Sequence, residues 1–266
     1  MLSLLTSLVA AQEPLPEHIA ATQIIAHRGG AALAPENTLA AFTKAAELGV
    51  GFELDVTLSK DGQVIVLHDD SVDRTTNGQG LAGDLSAAEL AALDAGSWFA
   101  PEFAGEPVPT LDQVLDAFGG QVLIDIEIKT HPQREQLAQG VVDAVVSRGL
   151  EDQVLVTSFD PLMLEQVKLK APAIPRGQLT GTFKGAELNP ITKLVLKRMW
   201  LNGKSEPQVI AVEASRVTRR FVRKQQRHGC QVWAWTVNDP AEMQRLLELG
   251  VTGLITDHPD VGLEQL

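Results

Sequence analysis

The 266-residue chain has one cysteine, no tyrosine and only 5% aromatic residues. A single thiol, Cys230, excludes an intramolecular disulfide framework and any cysteine-rich zinc module. Positive charge is also scarce: 22 Lys and Arg stand against 34 Asp and Glu, for a formal net charge of −12. A general nucleic-acid binder needs a surplus of cations, so no nucleic-acid partner is expected. One pocket can differ in sign from the surface around it, which leaves a small phosphate ester open as a substrate. The chain also lacks an apolar run of the ~18 residues needed to cross a bilayer. Residues 1–11 (MLSLLTSLVAA) come nearest; they are apolar and end in small residues, but begin without Lys or Arg. Within an N-terminal segment 1–22 they read as an ordinary helix or as a weak export signal. The missing disulfides fit the cytoplasm, with export or membrane association through that segment as the alternative.

What is present is periodic. From residue 23 onward, short runs rich in Val and Ile alternate with helical patterns. Strands are expected at 23–27, 51–57, 64–68, 122–128, 153–158, 174–179, 208–213, 231–237 and 253–256. Most are continuous apolar runs, as strands covered on both faces are. Asn37 is expected to cap a helix with Leu39, Phe42 and Ala46 on its apolar stripe and Gly49 at its end. Asp239 and Pro240 supply a cap and a first-turn proline ahead of Met243, Leu246 and Leu247. This many strand–helix repeats predict an α/β fold closed as a TIM (β/α)8 barrel over residues 23–266. Nine candidates exceed eight, so one short strand is expected outside the barrel. The link from Asp55 to Val64 runs through the turn Lys60-Asp61-Gly62 and is too short for a packed helix. Residues 69–121, by contrast, far exceed a normal connection. They hold a Ser86-x-x-Glu89 capping box, a helix start at Thr110 and an aromatic loop at 98–109. Most of that stretch is expected to be a small inserted cap subdomain over the barrel mouth.

In such barrels chemistry sits at the C-terminal strand ends. There the sequence places His27-Arg28, Glu53-Leu54-Asp55, His68-Asp69, Glu127-Ile128-Lys129 and Trp235-Thr236-Val237-Asn238. Glu53 and Asp55, at i and i+2 on one strand, share a face, and apolar Phe52 and Leu54 assign that face to the interior. Adjacent buried carboxylates need a proton or a cation, and Glu127 adds a third from another strand. Three oxygen donors without cysteine suit a hard divalent cation, Mg²⁺ or alternatively Ca²⁺. The plainer reading is ion pairing with Arg28 and Lys129 alone, which leaves three anions against two cations. His27 and His68 end two strands beside these acids, where two imidazoles can serve as base and acid in one turnover. His18, His131, His228 and His258 lack that setting. Arg28 and Lys129 complete a site for an anionic phosphoester.

Read together, HRGGAALAPENTLAAF, ELDVTLSKDG, VIVLHDDSVDRTTNGQG, IEIK, SFDP, WTVN and GLITDHPD resemble the glycerophosphodiester phosphodiesterase family, in family order from His27 to Pro259. GSWFAPEFAGEPVPTLDQVL resembles the insertion of its small bacterial members. The one departure is Ala31-Ala32 after Gly30, a small-residue variant of the first loop. The resemblance implies a TIM barrel with an inserted cap, a divalent metal, and hydrolysis of glycerophosphodiesters to an alcohol and sn-glycerol 3-phosphate. It implies Glu53, Asp55 and Glu127 as metal ligands, His27 and His68 as catalytic histidines, and Arg28 and Lys129 as phosphate contacts. Attack on phosphorus by the glycerol C2 hydroxyl, through a cyclic 1,2-phosphate, and direct attack by water both remain open.

Trp235 is expected to wall the substrate pocket beside Asn238. Glu36 and Asn37 are candidates to orient Arg28, with helix capping as the plainer role of Asn37, and Arg74 is expected to brace its loop. Two basic segments, 192–204 and 216–227, read as barrel helices with solvated cationic faces. The sharper reading, a membrane-facing surface admitting lysophospholipids, is open but not favoured. Within enzymes the alternative is a lysophospholipase D-type phosphodiesterase using the same site. Outside them it is a noncatalytic glycerophosphodiester-binding protein, for which two histidines would have no use. A glycosidase would need two opposed carboxylates ~5–10 Å apart, which adjacent Glu53 and Asp55 fit poorly.

Overall fold

Nine strands and eleven helices organise the computed structural model, which describes residues 14–185 and 188–266. Stretch 1–11 lies outside the described residues. The elements run α1 (Glu17–Ala21), β1 (Ile24–Ala26), α2 (Leu39–Glu47), β2 (Gly51–Leu58), β3 (Val64–Val66), α3 (Ala87–Ala91), α4 (Leu111–Phe118) and β4 (Ile124–Ile128). They continue with α5 (Arg134–Val146), β5 (Val154–Ser158), α6 (Pro161–Lys170), β6 (Arg176–Thr180), α7 (Pro190–Arg198), α8 (Asn202–Ser205) and β7 (Val209–Glu213). The last are α9 (Arg219–Arg227), β8 (Gln231–Trp235), α10 (Pro240–Glu248), β9 (Gly253–Thr256) and α11 (Pro259–Leu263). Eight strands pair in parallel, in the order β1-β2-β4-β5-β6-β7-β8-β9, and β1 pairs with β9 to close the TIM barrel.

Alternation along the strands separates two cores. Phe52, Leu54 and Val56 of β2 and Ile124, Ile126 and Ile128 of β4 face outward into the layer packed under the helices. Inside the barrel lie Ile25, Leu155, Val209, Ala211, Trp233 and Ile255, with Ile19 of α1 buried among them. The intervening positions Glu53, Asp55, Asp125 and Glu127 fall to the interior by the same parity, and they are buried. The parallel register sets Glu53 beside Asp125 and Asp55 beside Glu127.

The strand outside the barrel is β3. It pairs antiparallel with the far end of β2, Val56 against Val66, across the Lys60-Asp61-Gly62 turn. His68 therefore does not end a barrel strand. It enters from this hairpin, held beside the site by the Leu67 N–H donating to the Asp55 carbonyl at 3.0 Å. The excursion that follows has its own apolar cluster of Ile65, Leu67, Val72, Ala82, Leu90, Ala95 and Val108. Helix α4, by contrast, buries Leu111, Val114, Leu115 and Phe118 in the barrel's outer layer, so it belongs to the barrel. Capping boxes close α3 through Ser86 and Glu89 and α4 through Thr110 and Gln113.

The cap of α2 is a correction. Thr38, not Asn37, accepts from the Ala41 N–H at 3.2 Å, because Asn37 sits at φ +59°, outside cap geometry. Thr38 is fully buried, so its loss strands a donor that water cannot reach. Thr38→Ala is expected to lower unfolding free energy by about 1–2 kcal/mol. Urea unfolding followed by circular dichroism measures it, and an unchanged midpoint would refute the assignment.

Candidate active site

The first strand closes in a tight turn, His27–Gly29, with Arg28 at φ +52° and Gly29 and Gly30 at +85° and +94°. Gly29 is required twice over: a Cβ there would stand 2.6 Å from Ala41 Cβ, where α2 crosses the turn. The Arg28 N–H donates to Glu53 Oε2 at 2.9 Å, and its Nη1 donates to Glu36 Oε1 at 2.6 Å. Its Nε lies 3.4 Å from Asp55 Oδ2. Asn37, freed from capping, clasps Asp55: its amide donates to Oδ2 at 2.9 Å and its carbonyl accepts the Asp55 N–H at 3.2 Å. Lys129 completes the corner, 2.6 Å from Asp55 Oδ1 and 2.9 Å from Glu127 Oε1.

Glu53, Asp55 and Glu127 present one oxygen each within 4.8 Å of one another. Burial opposes ionisation of Asp55, but Lys129, His68 and Arg28 outweigh it and hold the carboxyl far below its ordinary range. Burial likewise opposes the charge on Lys129, which Asp55 and Glu127 restore. Glu53 goes the other way. Burial, then the charges of Asp55, Glu127 and Asp125, push its pKa well above the usual value. Asp125 is also raised by burial; it accepts from Thr157 Oγ1 at 2.8 Å, and its Oδ2 makes no hydrogen bond within the protein.

Each histidine has a carboxylate on Nδ1. For His27 it is Asp257, at 2.6 Å, whose other oxygen accepts from Asn238. For His68 it is Asp69, also at 2.6 Å, which Arg74 holds through a 2.6 Å bond while gripping Glu36 with its two terminal nitrogens. The Arg74 guanidinium, and then His68, draw the Asp69 pKa down to about 2. The His68 pKa is lowered, first by burial and then by the nearby Lys129 ammonium.

His27, Arg28, Glu53, His68, Glu127, Lys129 and Trp235 line one cavity of about 130 Å³, and Asp55 lies beneath it. The structure thus brings together every residue that sequence reasoning placed in the site. Trp235 lines the wall with its indole N–H donating to the Ala211 carbonyl at 3.1 Å. Sequence reasoning missed Asp125, Phe159 and Asp257 as site residues, and it placed Asp69 beside His68 without giving it a role. Asp125 was readable from the same i, i+2 parity that joins Glu53 to Asp55. Asp257 carries no local signal, since 230 residues separate it from His27.

Comparison with known proteins agrees with this geometry. The model of the glycerophosphoryl diester phosphodiesterase family matches residues 27–261. The chain belongs to this family. It is 36% identical over 245 residues to the glycerophosphodiester phosphodiesterase of Caldanaerobacter subterraneus, covering 90% of this chain and 95% of that one. It is 32% identical over 252 residues to one from Bacillus subtilis, covering 89% and 84%. A phosphodiesterase from Oleispira antarctica, solved in complex with the product sn-glycerol-3-phosphate, superposes with a TM-score of 0.79. That protein is 29% identical, with 91% of this chain and 96% of that one covered.

A divalent cation fits the donor set of this family member. At about 5 Å, each pair of like charges costs roughly 3–4 kcal/mol at an effective dielectric of 20. Domains keep only ~5–15 kcal/mol of net stability, so several such pairs cannot stand uncompensated. Lys129 pairs with Asp55 and Glu127, and Arg28 only partly offsets the burial and the neighbouring carboxylates that raise the Glu53 pKa. A raised carboxyl pKa withdraws stability as pH climbs above its unfolded value of about 4.3, so at pH 7 Glu53 destabilises the metal-free fold. Metal-free Glu53→Gln is therefore expected to melt higher than the metal-free wild type at pH 7. Added Mg²⁺ or Ca²⁺ should raise the wild-type Tm and leave that of the variant nearly unchanged. Scanning calorimetry after chelation reads both, and a lower-melting Glu53→Gln would contradict this electrostatic balance.

Proposed function

We propose that the chain hydrolyses glycerophosphodiesters to an alcohol and sn-glycerol 3-phosphate, with His27 and His68 as its acid–base pair. The observation that carries this is the convergence of two carboxylate-anchored imidazoles, two cations and three clustered acids on one small cavity. Glu53, Asp55 and Glu127 would hold a divalent cation, Mg²⁺ or Ca²⁺. When bound, it would supply Lewis acidity toward a phosphate oxygen and offset the charge of the acids. Noncatalytic binding would need neither imidazole.

The chain's own groups divide the remaining work. Arg28 and Lys129 present fixed positive charge to the nonbridging oxygens. Asp257 and Asp69 accept from the Nδ1–H of their histidines, which sets the tautomer and leaves Nε2 of each ring for the substrate. Burial and Lys129 favour neutral His68, so His68 is the base that takes the proton of the attacking hydroxyl. His27 is the acid that protonates the departing alkoxide. Trp235 and Phe159 also line the cavity.

Two measurements follow. His68→Ala is expected to lower kcat by ~10²-fold or more in a glycerol 3-phosphate release assay, and near-normal turnover would remove the assignment. In wild type, activity should fall as pH drops through the His68 pKa, so the acid limb of kcat/KM should lie below about 6.5. Removing Asp69, whose hydrogen bond supports the protonated ring, should move that limb lower still. An Asp69→Asn profile unchanged in position and height would show that this carboxylate does not act on His68.

A further inference from the structure

The alternation that turns Glu53, Asp55 and Glu127 inward continues round the barrel. On β7 the interior positions are Val209 and Ala211, so Glu213, two residues on, faces the mouth. The register sets it beside Trp235, the interior residue that ends β8. Glu213 is thus an acid of the mouth on the far side from the β2–β4 corner, with no part in the acid–base chemistry above. Its carboxylate is held in place without being neutralised. Oε2 accepts from the Thr182 N–H and hydroxyl, both at 2.7 Å, and Oε1 from the Ser215 hydroxyl at 2.6 Å. All three donors are uncharged. Burial opposes its ionisation, but the hydrogen bonds from Ser215 and Thr182, and then the Lys184 charge, keep its pKa below the usual value.

The space in front of Glu213 is open because residue 181 is glycine. A Cβ there would stand 2.9 Å from Glu213 Oε2 and 3.2 Å from the Trp235 ring. Gly181, Glu213 and Trp235 line a cavity of about 810 Å³ beside the catalytic one, and Phe159 and Trp235 line both. Phe159 meets Trp235 edge-to-face, with centroids 5.4 Å apart, which steadies the indole. The other charged groups of that cavity are Arg134 and Asp160, paired at 2.7 Å, and exposed Lys184. An aromatic face beside a fixed carboxylate is chemistry that binds an ammonium group.

Resting on the phosphodiesterase reading above, we infer that Glu213 selects the head group: together with Trp235 it binds the positive nitrogen of an amino-alcohol leaving group. The direction of departure follows from His27. That imidazole is tied through Asp257 and Asn238 to the loops after β9 and β8, so the alkoxide it protonates lies on the Trp235 side of the cavity. With the phosphate held at Arg28 and Lys129, a nitrogen two carbons beyond the ester oxygen is carried toward the indole and Glu213. Choline and ethanolamine esters share this chemistry. A neutral alcohol gains nothing from the carboxylate, and a head group with net negative charge is repelled by it.

The test measures kcat and KM for glycerophosphocholine, for glycerophosphoethanolamine and for the 3,3-dimethylbutyl ester of glycerol phosphate, which has the shape of the choline ester without its charge. The two cationic esters are expected to exceed the neutral one by ~10-fold in kcat/KM, the scale of a cation–π contact joined to one solvent-screened charge pair. Choline is also the more acidic leaving alcohol, so the deciding comparison is between variants. Glu213→Gln, which keeps an acceptor for Thr182, should shrink the preference several-fold through a higher KM for the cationic esters. Glu213→Lys should shrink it further. Glu248→Gln, at an exposed acid ending α10, should leave it intact. Equal wild-type kcat/KM for the choline and dimethylbutyl esters would overturn the inference and leave the phosphodiesterase reading standing. So would a preference that survives Glu213→Lys undiminished. Turnover of none of these esters would remove the phosphodiesterase reading and this inference with it.

Discussion

Everything at the mouth of this barrel answers to one electrostatic problem, the four carboxyl groups of Glu53, Asp55, Asp125 and Glu127 gathered in the interior corner between β2 and β4. The register Glu53–Asp125 and Asp55–Glu127 fixes them as neighbours, and burial denies them water. The protein resolves the four differently. Asp55 is ionised, clasped by Asn37, Lys129 and Arg28. Asp125 is kept toward its neutral form against Thr157. Glu53 remains, its pKa raised by burial and then by the charges of Asp55, Glu127 and Asp125. That unresolved remainder is what makes the corner a place for a cation rather than a closed ion-pair network.

The fold delivers this arrangement by alternation. Outward Phe52, Leu54, Ile126 and Ile128 are locked under helices, so a one-residue slip would bury acids in the outer layer. The rest of the site is tied to the same corner by hydrogen bonds. Glu36 receives both Arg28 and Arg74, and Arg74 in turn holds Asp69 on His68. The excursion after β3 thus positions one histidine, and the chain's C-terminal part positions the other through Asn238 and Asp257. Among the described residues, no helix is long and apolar enough to cross a membrane.

What was legible in the sequence was what periodicity and local chemistry encode. Continuous Val/Ile runs with capped helices between them identify the closed barrel, and i, i+2 spacing identifies the inward acids. The antiparallel placement of β3 was visible only as a surplus strand, because a short apolar run carries no direction of pairing. Asn37 reads as a cap by residue type, yet the turn at Arg28 and Gly29 throws it to positive φ and hands the cap to Thr38. The carboxylates behind the histidines divide by distance. Asp69 is adjacent to His68, whereas Asp257 meets His27 only because β9 closes the barrel against β1.

The barrel rim is divided in chemistry as well as in sequence. Most of the acids, histidines and cations of the catalytic cavity come from β1, β2, the β3 hairpin and β4, with Asp257 following β9; aromatic and aliphatic side chains from the ends of β5, β6 and β8 and from α7 line the neighbouring cavity, with Asp160, Lys184 and Glu213 among them. The charged half can be rigid, since every buried ionic group there is fixed by at least one partner. The apolar half is held by far less: α7 contributes no buried residue and ends where Met199 turns to φ +53°. The acids and cations of the site are thereby built largely on closed-barrel strands, while the apolar half rests on α7, which buries no residue.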